Sequence, residues 1–373
     1  MNKPKIIAFY LPQFHPVKEN NEWFGEGFTE WTNVAKAKPL FKGHDQPRVP
    51  RDLGFYDLRL ADVRAKQADM AKEAGVDAFC YYHYWFGNGR VILEKPLQEV
   101  VRLGEPDFPF CICWANHSWY KKSWNPDIKN LEQALLLEQV YPGDEDIINH
   151  FYFLLPAFKD NRYLKVNGRL LFAIYNLTGM DNFARMKEIW NDLAIKNGLP
   201  GFYFLSYTSE LREIEKPKFR MTDGTILSLV TNMQFFQDFS KINKLKDFIR
   251  EKVSLLTGRP QLVFEYKEAM KYLLDEECRK DYVIPVIVPN WDYTPRRGAG
   301  GIIFKNARPD LFKQHVKQAI KMVENKPEEK KIIFLKSWNE WGEGNYMEPD
   351  LTYGKGYICA LREALNELGY NKL

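Results

Sequence analysis

The sequence predicts an α/β fold: a single-domain (β/α)8 barrel with elaborated loops, spanning residues 1–373. Short β-branched and aromatic runs alternate with longer amphipathic stretches, the pattern of βαβ units that build a parallel sheet. The strand-like runs number eight, the count that closes a barrel. Polar and aromatic residues gather at the ends of several of these runs, where a barrel of this kind carries its chemistry.

Taken in order, strands are predicted over 6–11, 76–82, 108–114, 170–175, 202–207, about 224–236, 283–288 and 331–336. Helical patterns fall between and after them, over 62–74 with Gly75 as a stop, 144–159, 181–196 with Gly198 beyond, 309–324, and 356–368 before Gly369. An insertion is expected around 209–275. Asp144, Glu145 and Asp146 follow Pro142-Gly143 and read as the acidic first turn of a helix, although the triplet also looks like the metal-binding motif of nucleotide-sugar transferases. A doubly wound open sheet would alternate in the same way. It opens on a Gly-rich phosphate turn, whereas here the first strand runs into Leu11-Pro12-Gln13-Phe14-His15.

Composition narrows the function. With 53 basic and 49 acidic residues mixed along the chain, the net charge of +4 forms no stripe, and no nucleic-acid partner is expected. The first apolar run, about six residues, is too short for a signal-peptide core, and no window approaches the roughly twenty apolar residues of a membrane span. Membrane insertion is therefore not expected. The five cysteines, odd in number and mostly inside strand-like runs, suit buried free thiols in a reducing cytoplasm. Without His-Glu-x-x-His, Cys-x-x-Cys or an EF-hand pattern, no metal or other cofactor is expected, and no Gly-x-Ser-x-Gly elbow is present. Aromatics make up 15% of the chain and supply faces on which sugar rings can stack, although a large barrel core also uses such residues.

The candidate catalytic residues are Glu340 and Glu343, just past the last strand in Trp338-Asn339-Glu340-Trp341-Gly342-Glu343-Gly344. On a continuing strand they would face opposite ways, so sharing a site requires a turn, which the glycines permit. Two carboxyls near one bond can divide the work of glycoside cleavage, one taking a proton or attacking and the other donating to the leaving oxygen. The tryptophans supply an apolar surround that would keep one of them protonated. Candidate substrate contacts come from the other strand ends: Tyr10, Gln13 and His15; Glu30 and Trp31 in the loop after the first strand; Tyr82, His83 and Trp85; Trp114, Asn116 and Trp119; Asn290, Trp291 and Asp292; and Trp338 and Asn339. The segment Arg296-Arg297-Gly298-Ala299-Gly300-Gly301 reads as a mobile cationic loop, either an ordinary surface loop or a holder of an acidic sugar or phosphate.

Ala8 to Pro16 (AFYLPQFHP), Gly27 to Val34 (GFTEWTNV), Tyr81 to Phe86 (YYHYWF) and Ser337 to Gly344 (SWNEWGEG) with Glu348-Pro349 together resemble the WbsX-like proteins over nearly the whole chain. Those proteins are found with bacterial O-antigen and capsule assembly genes and are often labelled glycosyltransferases. Their fold resembles that of the endo-α-mannanases and mannosidases of glycoside hydrolase family 99, in which a similar Trp-Asn-Glu-Trp-x-Glu-Gly segment carries both catalytic carboxylates. By position, the resemblance implies Glu340 as the base on a sugar 2-hydroxyl and Glu343 as the acid, then base, at the glycosidic oxygen. The implied route is retaining, through a 1,2-anhydro sugar. The chain departs from the hydrolases at Gly342, where they commonly carry a larger polar residue.

Three functions are consistent with these residues. The first is a retaining endo-glycosidase or transglycosylase on an oligosaccharide or polysaccharide. The second is a glycosyltransferase of O-antigen or capsule (lipopolysaccharide) biosynthesis. The third is a non-catalytic glycan-binding barrel, which would keep the aromatics without needing both acids.

Overall fold

The computed structural model describes residues 2–121, 134–231, 257–260 and 262–370. Eight parallel strands form its centre: β1 Lys5–Tyr10, β2 Ala78–Trp85, β3 Phe110–Trp114, β4 Arg169–Ile174, β5 Phe202–Thr208, β6 Gly224–Leu227, β7 Val283–Ile287 and β8 Ile332–Leu335. Each pairs with its sequence neighbour, and β1 also pairs with β8 through Lys5↔Ile332 to Ala8↔Leu335, so the sheet closes on itself. This is the (β/α)8 barrel that the alternation predicts.

The helices of the outer layer are α1 Ala61–Ala74, α2 Lys95–Leu103, α3 Asp144–Phe158, α4 Phe183–Lys196, the single turn α5 Pro217–Arg220, α6 Pro309–Val323 and α7 Gly356–Glu367. The sequence pattern missed α2. At nine residues it holds about two and a half turns, too few to display a periodicity, although Pro96 near its start and left-handed Gly104 (φ 70°) after its end are recognisable stops. β2 runs to Trp85, three residues past the expected end, because Tyr-His-Tyr-Trp continues the strand into the barrel mouth. The strand expected over 224–236 is the short β6, and 232–236 lie outside the described residues. Within 209–275 the described part holds α5, β6 and a strand Leu262–Glu265 that pairs with Ile302–Lys305; 232–256 and 261 lie outside it.

Strand alternation divides the aromatics into two sets. Phe9 stacks on Tyr82 at 5.2 Å, meets Phe334 at 4.9 Å and reaches Tyr207 on β5, across the barrel, at 6.1 Å, so these rings fill the interior. Phe172 and Phe202 point the other way and pack with Trp190 of α4 and Phe158 of α3 between sheet and helices. All five cysteines are unpaired thiols, Cys359 being the one that is not fully buried. Among the described residues no helix is long and apolar enough to cross a membrane.

Candidate active site

The segment after β8 is tied down before it turns. Lys336 N–H donates to the Ile287 carbonyl on β7 (2.9 Å), Trp338 N–H to the Phe9 carbonyl (2.8 Å), and the Asn339 amide brackets Leu11, accepting its N–H (2.8 Å) and donating to its carbonyl (3.0 Å). Asn339–Glu340 then pairs antiparallel with Asn345–Tyr346 around a single turn, Trp341–Glu343, closed by Gly344 at φ 57°. A Cβ on Gly344 would lie 2.7 Å from Asp292 Cβ, so both the conformation and the close approach require glycine. This is the turn that the Glu-x-x-Glu spacing demands, and it brings Glu340 and Glu343 to one pocket.

The pocket, of about 180 Å³, opens at the carboxyl ends of the strands. Aromatic rings of Tyr82, Tyr84, Trp119, Tyr175 and Tyr293 form much of its wall, and Arg296, Lys336, Glu340 and Glu343 supply its charge. Arg296 is buried and donates through Nε and Nη2 to the two oxygens of Glu30 (both 2.9 Å) and through Nη1 to Glu343 Oε1 (2.5 Å). The Lys336 ammonium lies 3.5 Å from Glu340 Oε2 and 3.8 Å from Glu343 Oε2. Burial, and next the negative charge of Glu343, push the Glu340 carboxyl up from 4.5 to about 7 against the opposing pull of Lys336 and Arg296. Its Oε2 is buried and accepts no hydrogen bond among the described residues.

Beneath the turn lies a third carboxyl. Glu348 accepts from Trp341 Nε1 (2.6 Å), the Tyr56 hydroxyl (2.9 Å) and Gln67 Nε2 (2.6 Å), yet burial outweighs these bonds and raises it to about 7. On the other side, Asp292 accepts from His44 Nε2 (2.8 Å), Gln46 Nε2 (2.7 Å) and the Thr294 hydroxyl (2.6 Å). Burial acts to raise Asp292, but these donors and Arg48 prevail and hold it below the usual carboxylate range. Among the described residues no group of three or more His, Cys, Asp or Glu is arranged to hold a metal ion.

Of the residues selected from the sequence, Tyr82, Trp119, Glu340 and Glu343 line the pocket; Glu30 reaches it through Arg296, and Trp291 lies under Lys336, its ring centre 5.5 Å from Nζ. The others do not line this pocket, contrary to the expectation from the sequence. Tyr10 follows inward Phe9, so it points out and donates to Gln67 of α1 (2.6 Å). Gln13 is wholly buried, and His15 is held at the Pro12 carbonyl (3.0 Å), its burial lowering the imidazole to about 4. Trp31 wedges between Phe14, Tyr56 and Trp341. His83 and Trp85 alternate outward with respect to Tyr82 and pack on His150 of α3; Trp114 follows them and donates to the Trp85 carbonyl. Asn116 ties the ends of β3 and β4 together through Asn176, Asn290 accepts from the Tyr346 backbone, and Asp292 is engaged as above. Trp338 packs on Phe79, and Asn339 is spent on Leu11.

Pattern reading missed Tyr84, His117, Tyr175, Tyr293 and Lys336, and took Arg296 for part of a mobile cationic loop. Arg296 instead ends up inside the short helix Thr294–Arg297, with its charge met by two carboxylates. Tyr84 could have been found, because period two places it beside Tyr82. Lys336 carried a signal too, as a lysine closing the apolar run Ile332-Ile333-Phe334-Leu335.

The family described as "Glycosyltransferase WbsX" matches residues 6–361. The chain belongs to that family. The WbsX-family chain is also 33% identical over 371 residues to WxcX of Xanthomonas campestris pv. campestris strain B100, covering 96% of this chain and 49% of that one, with matching figures for strain ATCC 33913. It thus spans about half the length of the curated relatives it matches. In fold it is similar to the GH99 endo-alpha-mannosidase from Bacteroides thetaiotaomicron, with TM-score 0.56, 15% identity and 98% of each chain covered. A glycoside hydrolase-like protein gives TM-score 0.54 and 16% identity over 98% of this chain and 94% of that one. At such identities the likeness concerns the barrel alone.

The two raised carboxyls give this WbsX-family barrel a pH signature. A folded-state value of about 7 against 4.5 means that the folded chain holds the proton more tightly; the associated stability is present below about pH 4.5 and is lost as pH rises through 7. Glu340→Gln removes one of the two contributions, of order 3 kcal/mol. The melting temperature of the variant relative to wild type should therefore rise between pH 5 and pH 8. Parallel melting curves across that interval would show that Glu340 is not a buried, proton-retaining group.

Proposed function

We propose that the protein is a retaining carbohydrate-active enzyme, an endo-glycosidase or transglycosylase on a bacterial polysaccharide, in which Glu340 and Glu343 form and then open a 1,2-anhydro sugar. The observation that carries this reading is the asymmetry of two glutamates on one turn. Glu340 is raised to about 7, with the Lys336 ammonium 3.5 Å from its buried Oε2, while Glu343 Oε1 accepts from Arg296. A base works best when its proton affinity lies near the working pH. A pair on one short turn also suits attack by the sugar's own O2 better than the usual retaining pair, which flanks the bond from opposite sides.

In the first step Glu340 takes the 2-hydroxyl proton as O2 bonds to C1, and the bond from C1 to the leaving oxygen breaks as that oxygen takes a proton from Glu343. Because Arg296 occupies Oε1 of Glu343, Oε2 is the oxygen left to carry that proton. In the second step water or a sugar hydroxyl gives its proton to Glu343 and bonds to C1; the C1–O2 bond opens, and O2 recovers its proton from Glu340. Two inversions retain the anomeric configuration. The tyrosine and tryptophan wall would stack the sugar ring and exclude water.

The family's description as a glycosyltransferase favours a second reading, synthesis of O-antigen or capsule from an activated sugar. Under it the pocket must receive a nucleotide diphosphate, whereas its two cations, Arg296 and Lys336, both face carboxylates. The deciding experiment incubates the protein with a panel of oligosaccharides and lipid-linked glycans, with and without sugar nucleotides. Turnover without a nucleotide is expected; turnover that requires one replaces the glycosidase reading with the transferase. Substrates lacking the 2-hydroxyl should be inert, and cleavage of a 2-deoxy analogue at the normal rate would remove the anhydro route.

A further inference from the structure

Lys336 has the setting of a working group rather than a packing one. It follows β8 two residues after inward-facing Phe334, so alternation aims it into the barrel, and its backbone is fastened to Ile287 of β7. A lysine with 5% of its side chain exposed needs a compensating anion. Here there are two, Glu340 Oε2 at 3.5 Å and Glu343 Oε2 at 3.8 Å, nearly equidistant. Trp291 lies beneath the ammonium, an apolar face that attracts a cation without competing for its protons.

We propose that Lys336 is a positioning residue that holds the Glu340–Glu343 pair at one shared proton, its ammonium compensating whichever carboxylate carries the charge as the proton changes sides. The role rests on the reading of these two glutamates as the working pair. In the step described above, Glu340 gains a proton while Glu343 loses one, so the pair's total charge is constant and only its location moves. A cation bound tightly to one partner would oppose that movement; a cation about equally distant from both does not. Arg296 is placed differently: it is bound through Nε and Nη2 to Glu30 and through Nη1 to Glu343, so its hold on the pair is one-sided.

Other titratable groups face the pair from every side. Tyr82 and Tyr84 come from β2, His117 from beyond β3, Tyr175 from the end of β4, Tyr207 from β5, and Tyr293 with Arg296 from beyond β7. Burial raises Tyr82, Tyr84, Tyr175 and Tyr293, which are neutral near pH 7, and His117 is lowered to about 4. Among the described residues Lys336 is the cation within 4 Å of both carboxylates.

The test is a carbon-13 carboxyl NMR titration of the full-length protein labelled at glutamate, with the Glu340 signal identified by its loss in Glu340→Gln. In Lys336→Met the Glu340 midpoint should move up by about one to three pH units, the shift expected on removing an opposite charge at this range. Lys336→Arg should return it most of the way. The acid limb of kcat/KM should move with the midpoint, a change that lost packing alone would not cause. If Lys336→Met does not fold, Lys336→Gln serves as the neutral variant, with the same expected shift. An unmoved midpoint in a folded neutral variant overturns the role. The titration needs no substrate, so failure of the glycosidase reading appears in the turnover panel and failure of the Lys336 role in the titration.

Discussion

Replacing Glu340 with glutamine is expected to lower turnover by about 10²–10⁴-fold, the range for loss of a positioned general base, without unfolding the barrel. Glutamine keeps the shape of the side chain. The backbone contacts that place residue 340 also survive, because Ser337 Oγ accepts the residue-340 N–H (3.0 Å) and Asn339 retains its grip on Leu11. Glu343→Gln should be equally damaging on a sugar leaving group and should recover substantially on an aryl glycoside whose leaving group departs without a proton. Glu340→Gln should show no such recovery, since O2 must still be deprotonated. Steady-state kinetics on the two substrate types, with near-ultraviolet circular dichroism to check folding, separates the roles. Recovery of the Glu340 variant instead would exchange acid and base.

How far the site was legible in the sequence follows from the range of the interactions. The barrel is encoded locally, in runs of alternating character whose period can be read residue by residue. The two glutamates were legible because the whole turn is a short contiguous segment with its own glycines and tryptophans. Period two also decides which of Tyr82, His83, Tyr84 and Trp85 face inward, and choosing 83 and 85 over 84 assigns to the sugar two residues that stack at the α3 interface. What local patterns cannot carry are partnerships such as Arg296 with Glu30, 266 positions apart, or His44 with Asp292, 248 apart. These join the loop after β1 to the loop after β7, so a Gly-rich basic segment that looks like a surface loop is drawn into the site by an acid that no spacing rule connects to it.

The same partnership explains the departure at Gly342 and makes even an added methyl group there costly. A Cβ at this position would lie 1.5 Å from Glu30 Oε1 and 2.7 Å from Glu30 Cδ, so the carboxylate of Glu30 occupies the space a side chain would take. That carboxylate cannot step aside cheaply, being wholly buried and bound at both oxygens by Arg296. Gly342→Ala must therefore break the pair and leave a buried guanidinium short of a partner, at about 3–5 kcal/mol of stability. Arg296 would then bear more heavily on Glu343, and activity should fall further than the melting temperature alone accounts for. Glu30→Ala should cost a similar amount, since it too takes from Arg296 the acceptors of its Nε and Nη2. In the double variant the obstructing carboxylate is already gone, so adding Gly342→Ala to Glu30→Ala should cost less than about 1 kcal/mol beyond the single change, a strong coupling in a double-mutant cycle. Denaturant titration of the four proteins measures it. Additive losses would mean that residue 342 is glycine for a reason other than the room it leaves for Glu30.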